Sequence, residues 1–215
     1  LTEAILNYVA LLGWSPRGDI AEQEVFSLEE LAKAFDLEGM SKSPAIFDIE
    51  KLTHFNALYL RSMSQEDFVK AAEPYIRKTV KDESLSVSDI AALLQARCEK
   101  LTEIPEKVAF FQELPDYDRS LFTNKKSKCT PEVAKEMLSA AIVVLDAVHT
   151  WNEGNIHDVL TGLAEGMQVK NATVMWPVRI AAAGQAVTPG GAIEICRILG
   201  KEETLRRLKL GLDKL

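Results

Sequence analysis

The chain has 215 residues, 47% of them hydrophobic and 27% charged, with a formal net charge of −7. Such proportions suit a globular protein large enough for two compact units. No apolar run approaches the roughly 20 residues that span a bilayer. The acidic balance argues against indiscriminate nucleic-acid binding. It is uneven, however: residues 1–119 carry 13 Lys+Arg against 22 Asp+Glu, and residues 120–215 carry 12 against 10. An acidic front and a mildly basic rear permit local phosphate contacts on one side.

Leu, Ala, Glu and Lys dominate and aromatics are few, which favours helices. In chain order, Thr2 to Leu12 is apolar at helical spacing and stops at Gly13. A short extended segment near Glu24–Phe26 leaves room for at most a short strand pair. Ser27 with Glu30 is a capping box that opens a helix to about Asp36. Asp48 caps a helix to about Ser62, and Ser64 with Asp67 starts another that Pro74 is expected to kink or end early. Ser86 to Asp89 precede a helix over Ile90–Leu101, and Ile104-Pro105 begins a short one to about Leu114. Residues 116–130 are polar and turn-like. Thr130-Pro131 opens a long helix to about His149, and Asn155 is expected to cap the next, to about Met167. A helix over 172–183 contains Pro177 and stops at Gly184. Thr188 then caps a helix starting at Pro189, and Gly200 separates it from a last helix over Lys201–Leu212. The predicted fold class is all-α, stacked helical bundles in an elongated arrangement, with joints near 62–64 and 112–120. The chain begins in mid-helix and reads as a piece of a longer protein.

Catalytic constellations are sparse. There is no phosphate-cradling G-x-x-x-x-G-K-[ST] or G-x-G-x-x-G and no nucleophile elbow. Cys98, Cys129 and Cys196 are far apart, with no CxxC and no ligand spacing to His54, His149 or His157. Neither a disulfide scaffold nor a metal site is expected, and a reducing cytoplasm is the simplest location. His149 and His157 read as surface or cap residues, and His54 as a packed or half-exposed one. Trp14, Trp151 and Trp176 stand singly and read as core anchors, because a base-stacking platform needs clustered aromatics. The segment from Arg179 to Thr188-Pro189-Gly190 is the one suggestive feature. A helix mouth and a guanidinium fork one element apart suit a flat polar ligand such as a nucleobase, against the plain alternative of a helix–turn–helix corner.

Gly39-Met40-Ser41-Lys42-Ser43 resembles the K-M-S-K-S loop with which class I aminoacyl-tRNA synthetases hold ATP phosphates, although its first lysine is absent and no H-I-G-H partner occurs. With its neighbours the resemblance becomes specific. Ala10-Leu11-Leu12-Gly13-Trp14-Ser15-Pro16, Phe26 to Leu31, Ser41 to Asp48, Lys51-Leu52 with Asn56 and Tyr59, Pro105-Glu106-Lys107, Arg179 to Gly190, Leu199 to Glu202 and Arg206-Arg207-Leu208 occur in that order in bacterial glutamyl-tRNA synthetases. The likeness covers essentially the whole chain and implies a C-terminal part of such an enzyme. It implies a stem-contact tail over 1–63 and two helical anticodon-binding subdomains over 64–114 and 115–215. The catalytic domain, with ATP and Mg, would lie upstream, so no cofactor is expected within this chain and the piece alone should be inactive.

The same resemblance assigns anticodon contacts to Arg97, Arg179, Thr188, Pro189 and Gly190. Pro189 would offer a flat apolar face, and Gly190 an approach free of a side chain. Backbone contacts are expected from Lys42, Arg61, Lys125, Lys126 and Lys128. Arg97 would read the third anticodon base. Cytosine offers two adjacent acceptors, O2 and N3, to a donor-only guanidinium, whereas guanine presents two donors there. The expected partners are tRNA(Glu) and, in non-discriminating members, tRNA(Gln), with a monomeric protein and no membrane. The alternative is an all-helical protein–protein interaction module without RNA binding, motivated by the acidic front.

Overall fold

The computed structural model describes residues 1–41 and 44–215. Lys42 and Ser43 lie outside the described residues, so the backbone contact expected of Lys42 and the ATP-loop likeness have no structural account here. Among the described residues there are eleven α-helices and no strand. They are α1 (Thr2–Gly13), α2 (Leu28–Ala34), α3 (Ile49–Ser62), α4 (Gln65–Thr79), α5 (Val87–Leu94), α6 (Ile104–Gln112), α7 (Pro131–Asp146), α8 (Glu153–Gly166), α9 (Asn171–Ala183), α10 (Ala192–Leu199) and α11 (Lys201–Asp213). In place of a strand pair near Glu24, the front has a single antiparallel bridge between Trp14 and Met40.

The polar starts behave as local chemistry dictates. Ser27 accepts from the Glu30 amide while Glu30 reaches back to the Ser27 amide. Asp48, Ser64, Ser86 and Thr130 each accept from an amide of their helix's first turn. Four boundaries differ from expectation. α4 runs through Pro74 to Thr79; buried Phe68, Ala72 and Ile76 on its inner face hold it against α5 and α6. α8 is capped by Asn152, not Asn155, so that helix begins earlier. α5 stops at Leu94. There the Gln95 side chain donates to the Met63 carbonyl at 2.9 Å and Cys98 is buried, which turns the chain and removes Arg97 from the helix. α10 starts at Ala192 with Gly191 as its cap residue, so Thr188 is not a helix cap and Pro189 is not a first-turn residue.

One continuous buried core runs from Leu60 to Leu208, without a break at 114–115. α7, α9 and α11 pack on one another, and α4 packs on both α5 and α6. Arg207 of α11, only 1% exposed, ties the two groups together. It donates to the carbonyls of Phe110 (2.6 Å) and Ala182 (2.8 Å), with Nε on Glu203 at 2.6 Å. The carbonyl ends of α6 and α9 are thus satisfied by one buried fork. A second tie is Arg197 of α10, which reaches Asp89 of α5 and Glu153 of α8. In the front part, Trp14, Phe26 and Leu31 form a separate small core.

Candidate nucleic-acid interface

The candidate site lies where the end of α5 meets the loop between α9 and α10. Gly184 makes that loop possible. It sits at φ +66° as the left-handed cap of α9, and a Cβ there would stand 2.8 Å from Pro115 Cγ. The chain therefore leaves α9 abruptly and folds back along it. Replacing Gly184 with Ala should destabilise the protein by about 1–3 kcal/mol, through strain and the clash together. Urea unfolding of the variant checks this.

Arg179, on α9 itself, organises the returning loop. Its Nη2 donates to the Ala186 carbonyl at 3.0 Å, and its Nη1 donates to Thr188 Oγ1 at 3.1 Å. Thr188 in turn donates to the Gly190 carbonyl at 2.6 Å. The guanidinium lies 4.8 Å from the centroid of the Trp176 ring, one turn earlier on α9. The Trp176 Nε1 donates to the Leu121 carbonyl, which fixes the indole. Partial burial pulls the pKa of Arg179 down, and no opposing carboxylate pushes it back.

Arg97 enters from the other side. It is exposed in the turn after α5, and its Nη1 donates to the carbonyls of Pro189 and Leu93. Among the described residues no acceptor meets its Nε or Nη2. The Lys107 ammonium donates to the Arg97 carbonyl at 3.1 Å and is itself paired with Glu103 at 3.6 Å. Arg17, Arg197, Arg206 and Arg207 meet carboxylates, while Arg77, like Arg97, donates to a backbone carbonyl. Arg97 and Arg179 meet only carbonyls, a hydroxyl and an indole face. Two guanidinium groups thus flank one braced loop, and Arg97 keeps spare donors there.

Two predicted roles change. Pro189 is buried, so it offers no open face; its contribution is the carbonyl that orients Arg97. Gly190 is buried too, and the atom a Cβ would strike is Leu93 Cδ1 at 2.9 Å. Its smallness lets the loop sit on α5 and does not clear a ligand path. Trp176, read as a plain core anchor, is half-buried and supports Arg179. Val187, 84% exposed between Ala186 and Thr188, was not singled out by any sequence signal. His54 is exposed, neither packed nor half-exposed.

The outlying cations are dispersed. Lys125, Lys126 and Lys128 are exposed on a tight loop closed by paired hydrogen bonds between Asn124 and Cys129. Thr173 Oγ1 donates to the Ser127 carbonyl and seats that loop on the first turn of α9. Thr173 and Arg179 are six residues apart, about 9 Å along the helix and on different sides of it. Arg61 is exposed and shares a shallow cavity with Glu99 and Lys100, just past Arg97. Among the described residues no cluster of His, Cys, Asp or Glu is arranged to hold a metal ion, and no helix is long and apolar enough to cross a membrane.

A family described as "Anticodon binding domain" matches residues 67–212. The chain belongs to that family. A second family, "tRNA synthetases class I (E and Q), catalytic domain", matches residues 1–54. The glutamate–tRNA ligase of Clostridium tetani is 47% identical over all 215 residues, which cover 43% of that protein. The corresponding ligase of Clostridium acetobutylicum is 43% identical, with 44% of it covered. Among solved structures, a glutamate tRNA ligase from Elizabethkingia meningosepticum in complex with its amino acid matches with a TM-score of 0.84 and 29% identity. That match covers 100% of this chain and 41% of the other. The glutamate-tRNA synthetase of Elizabethkingia anophelis matches with a TM-score of 0.82 and 27% identity, over 99% of this chain and 41% of that one. The chain thus spans less than half the length of the relatives it matches, and the stretch matched by the anticodon-binding family, 67–212, includes both sides of the candidate site.

Proposed function

We propose that this chain is the anticodon-reading part of a glutamate–tRNA ligase, a cytoplasmic enzyme that joins glutamate to tRNA(Glu) using ATP and Mg. Residues 1–63 are the stem-contact tail, and 64–114 and 115–215 are the two reading units. The chain acts as a monomer. The observation that carries the reading is the meeting of Arg97 with the Thr188–Gly190 loop, two guanidinium groups across one seam.

In this reading Arg97 addresses the third anticodon base. Pro189 and Leu93 hold its Nη1, and Nε with Nη2 form the remaining donor edge. Arg179 addresses the first or middle base from its seat on Trp176, and Thr188 and Gly190 keep the loop in shape. Lys125, Lys126, Lys128, Arg61 and Lys42 meet phosphates, which orient the RNA without reading it.

Binding should be tested with the 215-residue chain and an anticodon stem-loop of tRNA(Glu). Affinity should fall steeply with salt, and each lysine replaced in the 125–128 loop should flatten the log–log slope by about 0.7–0.9. Protection from nuclease should fall on the anticodon loop. A chain that retains no stem-loop at low salt is a protein-interaction module instead.

A further inference from the structure

The rear of the molecule carries a groove that shares no residue with the candidate RNA site. It lies where α7 and α8 pack together. It encloses about 460 Å³ and is lined by Val144 of α7 and by Val159, Gly162, Leu163 and Gly166 of α8. No charged side chain lines it. Val143, next to Val144 on α7, is 69% exposed. Gly162 and Gly166 are exposed and one turn apart on α8, and a Cβ at either would meet nothing within 4 Å. Packing within this chain therefore does not require glycine there, although glycine weakens a helix interior relative to alanine. What the two glycines leave is bare backbone that a second helix can approach closely.

Charge around the groove is one-sided. From Glu136 to Val169 the chain has no Lys or Arg, against Glu136, Asp146, Glu153, Asp158 and Glu165. Glu153 is paired with Arg197, and Asp158 meets His157 at 3.1 Å. Among the described residues Glu136, Asp146 and Glu165 have no ion pair. Lys201 donates to the carbonyls of Asp146 and Val148 at the end of α7. Asp146, Asp158 and Glu165 are exposed, and each directly precedes a lining residue: Ala147, Val159 and Gly166. A rim of this kind repels phosphate, so the groove is no part of an RNA path. Two such faces would also bring like charges together, which disfavours a second copy of this chain. The complementary partner is apolar at its centre and basic at its edges.

We infer that the α7–α8 groove docks an amphipathic helix of a partner protein, with an apolar stripe flanked by Lys or Arg. The stripe packs on Val144, Val159 and Leu163, the backbone of the incoming helix closes on Gly162 and Gly166, and its cations meet Asp146, Asp158 and Glu165. This inference is independent of how Arg97 and the Thr188–Gly190 loop read RNA.

A fluorescein-labelled synthetic helix tests it, about 18 residues or five turns long, with Leu and Ala on one stripe and Lys on both flanks. Anisotropy titration with the 215-residue chain should show saturable binding. Gly162→Leu plugs the groove and leaves the rim charges in place; it should weaken binding about tenfold or more, and Gly162→Ala by a smaller factor. Both side chains enter open space, so both variants should keep the parent's thermal transition and its retention of an anticodon stem-loop. Exchanging Asp158 and Glu165 for Lys should lose the Lys-flanked peptide and gain a counterpart with Glu flanks. Absence of saturable binding overturns the inference. So does binding indifferent to both Gly162 variants, or equal binding of the Lys- and Glu-flanked peptides. Loss of stem-loop retention in Gly162→Leu would give the groove to RNA, and a doubled sedimenting mass that Gly162→Leu abolishes would give it to a second copy; either result overturns the inference.

Discussion

Replacing Arg207 with Ala should be the most destabilising single change in this chain, costing about 3–5 kcal/mol in urea unfolding. The reason is what the side chain leaves behind. Phe110 and Ala182 present their carbonyls at the ends of α6 and α9, in a region closed to water, and the Arg207 fork is the donor to both. Removing it orphans those acceptors and opens a cavity between α11, α9 and α6. Arg207→Lys keeps the charge but loses the planar fork, and should recover only part of the loss. If Lys matched Arg, the buried charge alone would be sufficient. Burial pulls the Arg207 pKa down while Glu203 raises it again, and the group stays ionised.

The same cluster gives the protein an acid limit. Hydrogen bonds first from Arg206 and then from Arg207 hold the Glu203 carboxyl at about 2, below its ordinary 4.5. A carboxyl depressed in the folded state stabilises it above the unfolded-state value and loses that contribution as pH falls through the folded one. Stability owed to Glu203 should therefore be complete above about pH 4.5 and fade toward pH 2. Glu203→Gln should flatten that part of the stability–pH curve.

Arg207 also illustrates what sequence does not disclose. In Arg206-Arg207-Leu208 the two arginines look alike, yet Arg206 is exposed and Arg207 is among the most buried side chains. Nothing local distinguishes them. Only the arrival of α6 and α9 from distant sequence makes position 207 interior. Helix starts were legible because a cap is a contact over three residues, as at Ser27, Asp48, Ser64, Ser86 and Thr130. Helix ends set by tertiary contacts were not. α5 ends early because Gln95 is drawn to the carbonyl of Met63, 32 residues away. The Thr188-Pro189 pair has the composition of a helix start, but Arg179 claims the Thr188 hydroxyl from the preceding helix and the loop stays open until Gly191. The candidate site followed the same division. Arg179 stood out from its own segment, one arginine on an apolar helical run ahead of Thr188-Pro189-Gly190, and the ordered family likeness supplied Arg97. Their meeting at Pro189, the seat on Trp176 and the burial of the Pro189 ring are matters of packing.

Changing Arg97 to Gln should alter which RNA the chain prefers more than how tightly it binds. The comparison is between two anticodon stem-loops that differ only in the third anticodon base, cytosine or guanine. With Arg97, the edge left free by Pro189 consists of donors alone, matched to the O2 and N3 acceptors of cytosine. Guanine would set its own N–H donors against that edge, and each group left unpaired costs roughly 1–3 kcal/mol. Glutamine has one donor group and one acceptor, and can meet either base part-way. Arg97→Gln should therefore weaken the cytosine hairpin, spare or improve the guanine hairpin, and narrow the preference by about tenfold or more. Arg179→Ala is the control, since it should weaken both hairpins alike by removing a cation that does not face the third base. Pro189→Ala retains the carbonyl and should leave the preference largely unchanged, which separates the role of that oxygen from any stacking by the ring. An unaltered cytosine-to-guanine ratio in Arg97→Gln would show that discrimination resides elsewhere, and that the guanidinium at the seam serves only to hold α5 against the loop.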